Sequence, residues 1–142
     1  MELGCGTGLP GFVAAACGAS CILTDAEDAP AVLKNVRVTL MTNNPIHYYT
    51  FNPAGDDTNQ LQLSFEPIFL SSTKVVPFSW ASFSPKFLSA FYSRDGSQET
   101  WPDLIIAADC FYDNSSSYDA LFATLDFFFT KNPDCRFITT YQ

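Results

Sequence analysis

Apolar residues along this chain fall into short runs that alternate between strand-like and helix-like spacing. Glu2-Leu3 reads as the end of a strand running into Gly4-Cys5-Gly6-Thr7-Gly8-Leu9-Pro10-Gly11. The Ala-rich stretch from Phe12 to Cys17 predicts a short helix, with Pro10 tolerated in its first turn and Gly18 as its stop. Ser20 to Thr24 is an apolar strand that delivers Asp25. Asp28 and Pro30 then open a helix with Val32, Leu33, Val36 and Leu40 on one face. Lys74 to Trp80 predicts the third strand, and Pro85 to Tyr92 a helix after it. Asp103 to Ala108 is nearly all apolar, the mark of a strand covered on both faces. Residues 115 to 117 supply serines that can cap a further helix, with Asp119 favourable in its first turn. That helix is expected to bury Leu121, Phe122, Leu125 and Phe128 or Phe129, and to stop near Asn132-Pro133. Arg136 to Tyr141 closes the series as a strand. This order predicts an α/β fold with a mostly parallel sheet flanked by helices and right-handed crossovers.

Two features break the rhythm. Residues 44 to 74 are too long for an ordinary connection. Within them His47 to Phe51 is aromatic-rich, and Leu61, Leu63 and Phe65 alternate with polar positions around a turn-like 52–57, so an inserted β-hairpin is expected. A gene-model error is the competing account of the same segment. The second feature is at the ends. In this topology the first strand lies centrally, so a start two residues before the glycine loop and a stop at Gln142 predict one partial domain over 1–142, incomplete at both termini.

Composition narrows the class. A chain of 142 residues that is 47% hydrophobic and 15% charged is globular rather than disordered. No apolar run nears the roughly 20 residues a membrane span needs. The start has no secretory pattern of basic residues followed by an apolar core. A formal charge of −8 argues against direct nucleic-acid binding and suits a basic protein partner. Five cysteines without a C-x-x-C pair, beside the single His47, predict buried free thiols in a reducing compartment and no metal site.

Chemistry concentrates at three places. Glycines after a strand can take positive φ and let backbone approach a ligand, while the next helix aims free N–H groups at it. Glu2-x-Gly4-x-Gly6-x-Gly8 is an acid-led loop of the kind that holds the amino-acid end of S-adenosylmethionine. As a string, Gly6-x-Gly8-x-x-Gly11 also satisfies the dinucleotide fingerprint, but here Gly4, not Gly6, follows the strand directly. Asp25 ends the second strand, where an acid can accept ribose hydroxyls from either cofactor. Asp109 ends the fourth strand ahead of Cys110-Phe111-Tyr112-Asp113, at the edge that faces the ligand crevice in open α/β sheets.

Taken together, Glu2 to Gly11, Thr24-Asp25, a Trp closing the third strand and Asp109-x-x-Tyr112 resemble the seven-β-strand protein lysine/arginine methyltransferases of the methyltransferase-like family, which carry a D-x-x-Y motif. The tail Lys131-Asn132-Pro133 with Thr140-Tyr141-Gln142 looks closest to the branch described as acting on histone arginine. The resemblance covers most of the chain except 44–74. It implies a Rossmann-like class I fold and S-adenosyl-L-methionine as cofactor. By position it assigns Glu2, Gly4, Cys5, Gly6, Gly8, Asp25, Trp80 and Ala108 to the cofactor, with Glu2 anchoring either the loop or the amino group. Trp80 would pack on the adenine, or else serve as a core aromatic. Asp109 and Tyr112 would line the methyl-transfer pocket. Ala81 stands where relatives often have Gly.

The expected function is methyl transfer to an arginine or lysine nitrogen of a basic protein such as a histone, in the cytoplasm or nucleus. A nicotinamide-dependent oxidoreductase and a truncated, non-catalytic interaction module are the alternatives.

Overall fold

A computed structural model describes residues 1–42, 46–49, 65–68, 72–93, 98–111 and 117–140, with 46–49 and 65–68 described as backbone only. It is a mixed α/β structure. Strand β1 (Ile22–Asp25) leads through α2 (Pro30–Thr42) toward β4 (Lys74–Pro77), and β1 pairs with β4 in parallel. Strand β5 (Leu104–Ala108) is followed by α4 (Tyr118–Lys131) and β6 (Arg136–Thr140), again a parallel pair. Residues 1–3 join the two pairs. Glu2 bridges Leu23 on one side and Ile106 on the other, both in parallel sense. Glu2 N donates to Ile22 O at 2.8 Å and Leu3 N to Ile106 O at 2.9 Å. The order across is therefore β4, β1, residues 1–3, β5, β6, and the carboxyl ends of all five point the same way.

Alternation sorts the side chains onto two faces. Leu3, Ile22, Val76, Ile105 and Ala107 turn toward one side, packed with Phe78, Phe87, Phe91, Leu121, Leu125 and Phe128. Leu23 and Val75 turn toward the other, against Val36 of α2 and Phe12 of α1 (Leu9–Ala16). The first core is largely aromatic. Phe78 and Phe87 stack with centroids 3.8 Å apart, and Phe87 meets Phe91 edge-on at 5.3 Å. Phe78 lies one residue past β4 and Phe87 within α3 (Pro85–Leu88), whose N-terminus Ser84 caps by accepting from Phe87 N. A single 3₁₀ turn, Ser89–Phe91, follows.

Several expected elements differ in detail. The third strand stops at Pro77, and Trp80 lies in the turn beyond it. The run Leu104–Ala108 is fully covered on one face only: Ile105 and Ala107 are buried, whereas Leu104, Ile106 and Ala108 are half-buried. Next to it Ile138 of β6 is 53% exposed. Helix α4 buries Leu121, Thr124, Leu125 and Phe128, so Phe122 and Phe129 face outward, contrary to the phase expected for Phe122. Its N-terminal Ser117 makes no side-chain cap; Ser115 and Ser116 lie outside the described residues. Within 44–74, β2 (Ile46–Tyr49) and β3 (Phe65–Ile68) pair antiparallel, Ile46 opposite Ile68 and Tyr49 opposite Phe65. Leu61 and Leu63 lie outside the described residues. No helix among the described residues is long and apolar enough to cross a membrane.

Ala81 carries a φ of 60°, a left-handed conformation that costs an L-residue with a Cβ about 1–2 kcal/mol. The turn is held because Ala81 N donates to Thr124 Oγ1 at 2.8 Å, and that hydroxyl donates in turn to Ala120 O. Ala81→Gly is accordingly expected to stabilise the fold by about 1 kcal/mol, read as a higher urea midpoint at unchanged slope. A lower midpoint would mean the turn is not left-handed.

Candidate functional site

The glycine loop is held in shape by backbone and carboxylate hydrogen bonds. After Leu3 the backbone turns through Gly4, Gly6 and Gly8, with φ of 58°, 51° and 76°. Cys5 N donates to Thr24 O and Gly8 N to Cys5 O, so the loop doubles back over the end of β1. Gly8 caps α1 in the left-handed conformation. Asp25 then ties the loop to the strand: Oδ2 accepts from Gly6 N at 2.8 Å and Oδ1 from Ala26 N at 2.9 Å. Phe78 N donates to Asp25 O, and Ser79 Oγ accepts from Glu27 N, which brings the turn after β4 alongside.

These contacts frame a cleft of about 490 Å³ at the carboxyl ends of the strands, within the usual size range of small-ligand sites. Gly4, Asp25, Trp80, Ala108 and Asp109 line it, all singled out above by position. A Cβ on Gly4 would come within 3.0 Å of Cys110 Sγ and 3.7 Å of the Trp80 ring, so glycine keeps this wall open. Asp109 sits at the tip of β5 with φ 53°, and its N–H donates to Thr140 O at 2.8 Å. Asp109 is exposed and lines the cleft. Tyr112 lies outside the described residues.

Other expected cofactor residues lie outside the lining. Glu2 is in a strand, and alternation sends its carboxyl beneath the loop, where Oε2 accepts from Gly11 N at 3.0 Å. Of its two expected roles, the geometry fits the anchoring of the loop. Cys5 is buried with Leu23 and Val36. Gly8 is spent on the helix cap, and Gly6 presents its N–H to Asp25, with nothing within 4 Å of where its Cβ would be. Ala26, Asp28, Phe78, Ser79, Cys110 and Ser117 complete the lining and escaped sequence reasoning as ligand contacts. Only Asp28 offered a signal, as an acid just past the strand that ends in Asp25.

Burial dominates the electrostatics beneath the loop. It pushes Glu2 up from its ordinary 4.5 to about 7, partly offset by the Gly11 N–H and the Met1 ammonium. Folded protein thus holds a proton on Glu2 that the unfolded chain has released. Between pH 4.5 and about 7 the folded state binds more protons, so this group's contribution to stability falls as pH rises through that window. Glu2→Gln keeps an oxygen acceptor for Gly11 and removes the titration. The variant should show a flatter melting-temperature profile over this range than the parent; parallel profiles would exclude a buried, proton-holding Glu2. Burial also raises the Cys5 thiol to about 12 and Cys110 to about 11, with Asp25 adding to both, so neither is a nucleophile at neutral pH. All five cysteines are free thiols, Cys17 alone exposed. Among the described residues no three potential metal ligands cluster.

A larger cavity of about 610 Å³ opens at the opposite, amino ends of the strands, lined by Met1, Ile22, Lys74, Trp101 and Leu104 among others. Ligands of open parallel sheets bind beyond the carboxyl ends, and the loop, the acids and Trp80 all converge there, so the smaller cleft is the candidate site.

The chain is similar along its whole length to known methyltransferase-like proteins. It is 28% identical to the histone-arginine methyltransferase METTL23 of Mus musculus, 29% to that of Homo sapiens, and 29% to methyltransferase-like protein 23 of Dictyostelium discoideum. Each alignment takes in 100% of this chain and, respectively, 42%, 56% and 48% of the relative. The chain is thus similar throughout to methyltransferase-like protein 23, the branch its tail resembled, and spans about half the length of these curated relatives. No family model matches it, and no solved structure does.

Proposed function

We propose that this chain forms the cofactor-binding part of an S-adenosyl-L-methionine-dependent methyltransferase that modifies an arginine or lysine nitrogen of a basic protein, a histone being the candidate. The five aligned strands would be the central part of a Rossmann-like class I fold. One observation carries the reading: Gly4, Asp25, Trp80, Ala108 and Asp109, drawn from four separate stretches of sequence, line a single cleft at the strands' carboxyl ends. The similarity to named methyltransferases supports the same reading.

The residues present suit this cofactor. Each Asp25 oxygen accepts one backbone N–H and keeps a lone-pair direction for a ribose hydroxyl. Gly4 admits the ligand where a side chain would meet Cys110. Trp80, half-buried on the cleft wall, offers a flat face to adenine. When bound, the cofactor supplies an electrophilic sulfonium methyl. The chain's own work is alignment: walls that fix the methyl, and a carboxylate that orients the incoming nitrogen. An arginine or lysine arrives protonated; in this reading Asp109, exposed on the cleft lining, would accept its hydrogen bonds and draw the proton from the attacking nitrogen. The assignment carries with it a nuclear or cytoplasmic location, where such substrates are found.

Isothermal titration of the folded chain with S-adenosylmethionine, and in parallel with NAD, tests the reading. Saturable binding of the first alone is expected, followed by radiolabel transfer to core histones by the full-length gene product. Affinity for NAD in place of S-adenosylmethionine would overturn it.

A further inference from the structure

Next in sequence to residues of the cleft lining is a group of rings that the proposed chemistry leaves unused. Asp109, Cys110 and Ser117 line the cleft, and the chain next to them carries Phe111 on one side and Tyr118 on the other. The Phe111 ring centroid is 5.5 Å from Tyr118 and 6.2 Å from Phe122. Phe122 is 54% exposed, because α4 turns Leu121, Leu125 and Phe128 inward instead. A phenyl ring left in water forgoes a large part of its transfer free energy, and a contiguous exposed apolar patch rimmed by polar residues marks a contact site.

Charge selects the occupant. Asp119 is exposed in the first turn of the same helix, one residue from Tyr118 and three from Phe122, and exposed Asp109, two residues before Phe111, lines the cleft. The chain as a whole has 15 acidic residues against seven basic. Aromatic faces beside carboxylates suit a cation carried on an apolar stem. The other end of α4 shows the same chemistry within the molecule: Lys131 Nζ lies 5.2 Å from the Trp101 ring centre and 5.9 Å from that of Phe127.

We propose that Phe111, Tyr118 and Phe122 seat an arginine or lysine side chain that flanks the target residue in an extended basic peptide. The assignment rests on the methyltransferase reading and adds to it where the peptide lies and what its neighbouring residue must be. The test uses the full chain and fluorescence anisotropy with two labelled peptides. One is a Gly-Arg repeat; the other keeps a single central Arg with glutamine at the flanking positions. The Gly-Arg peptide should bind more tightly than its neutral-flank counterpart. Phe122→Ala should weaken the Gly-Arg peptide about fivefold and leave the neutral-flank peptide unchanged, while Phe122→Tyr retains binding. Asp119→Asn should weaken the Gly-Arg peptide as well. Equal affinity of both peptides, or an unchanged Kd in Phe122→Ala, would overturn the seat. So would loss of self-association in Phe122→Ala by sedimentation, which would make a second copy the occupant. Cofactor titration on the same samples separates the two claims. Peptide binding that depends on Phe122, without S-adenosylmethionine affinity, would sink the enzyme and spare the surface; cofactor binding with indifference to Phe122 would do the reverse.

Discussion

Gly11→Ala is expected to lower the stability of the fold by about 3 kcal/mol or more, enough to move the thermal midpoint by roughly ten degrees. Alanine is ordinarily the better helix former, by about 1 kcal/mol. Here that gain is overwhelmed, because α1 lies so close to β1 that a Cβ at Gly11 would collide with the buried Leu23 side chain and come within 2.5 Å of Glu2 Oε2. Leu23 is 0% exposed and pinned by Val36, so it has nowhere to retreat. The Glu2 carboxyl is fixed by the hydrogen bond it receives from Gly11 itself. Gly6→Ala is the matched control. Nothing lies within 4 Å of its Cβ position, and only its φ of 51° resists, at about 1–2 kcal/mol. Urea unfolding of both variants gives the answer. If Gly11→Ala proved no worse than Gly6→Ala, α1 would not approach the sheet as described, and the loop geometry built on that approach would fail.

Those two glycines also mark how far the sequence could be read. The string from Gly4 to Gly11 announces a tight loop before a helix, and the strand patterns ending at Asp25 and Asp109 place two acids on one edge of a parallel sheet. Both inferences follow from rules that hold in almost any neighbourhood. What each glycine is for does not: Gly4 opens the cleft wall, Gly6 gives its N–H to Asp25, Gly8 caps a helix and Gly11 permits close packing. Glu2 shows the same limit. Motif position puts an acid near the ligand, but strand alternation decides whether its carboxyl faces the cleft or the underside of the loop. Helix α4 was ambiguous for a different reason. Leu121-Phe122 and Phe128-Phe129 are adjacent apolar pairs, and a helical period alone does not say which member of each pair faces the core. Packing against Phe87 and Phe91 selects Phe128, and with it the outward turn of Phe122. Ser79 and Cys110 line the cleft only because of where β4 and β5 end, a boundary that propensity resolves poorly.

The second large effect concerns turnover rather than folding. Asp109→Asn is expected to reduce kcat for methyl transfer by a factor of about 10² or more, with cofactor affinity within twofold of the parent. Asparagine is the informative replacement. The backbone at this position has φ 53°, a conformation that Asp and Asn tolerate better than other side chains, so the tip of β5 and its hydrogen bond to Thr140 should survive. Under the proposed methyl transfer, what is lost is the negative charge that would face the incoming cation and take its proton. Alanine would confuse that loss with left-handed strain. Asp28→Asn serves as a comparison, since Asp28 lines the same cleft but precedes α2 rather than ending a central strand. Single-turnover methylation of a basic peptide by the full-length gene product, with cofactor affinity measured separately, distinguishes the roles. A full rate in Asp109→Asn with a collapse in Asp28→Asn would move proton acceptance to the β1 side of the cleft. Equal losses in both, tracking peptide affinity and not kcat, would mean that the acids attract the substrate by charge and none of them handles the proton.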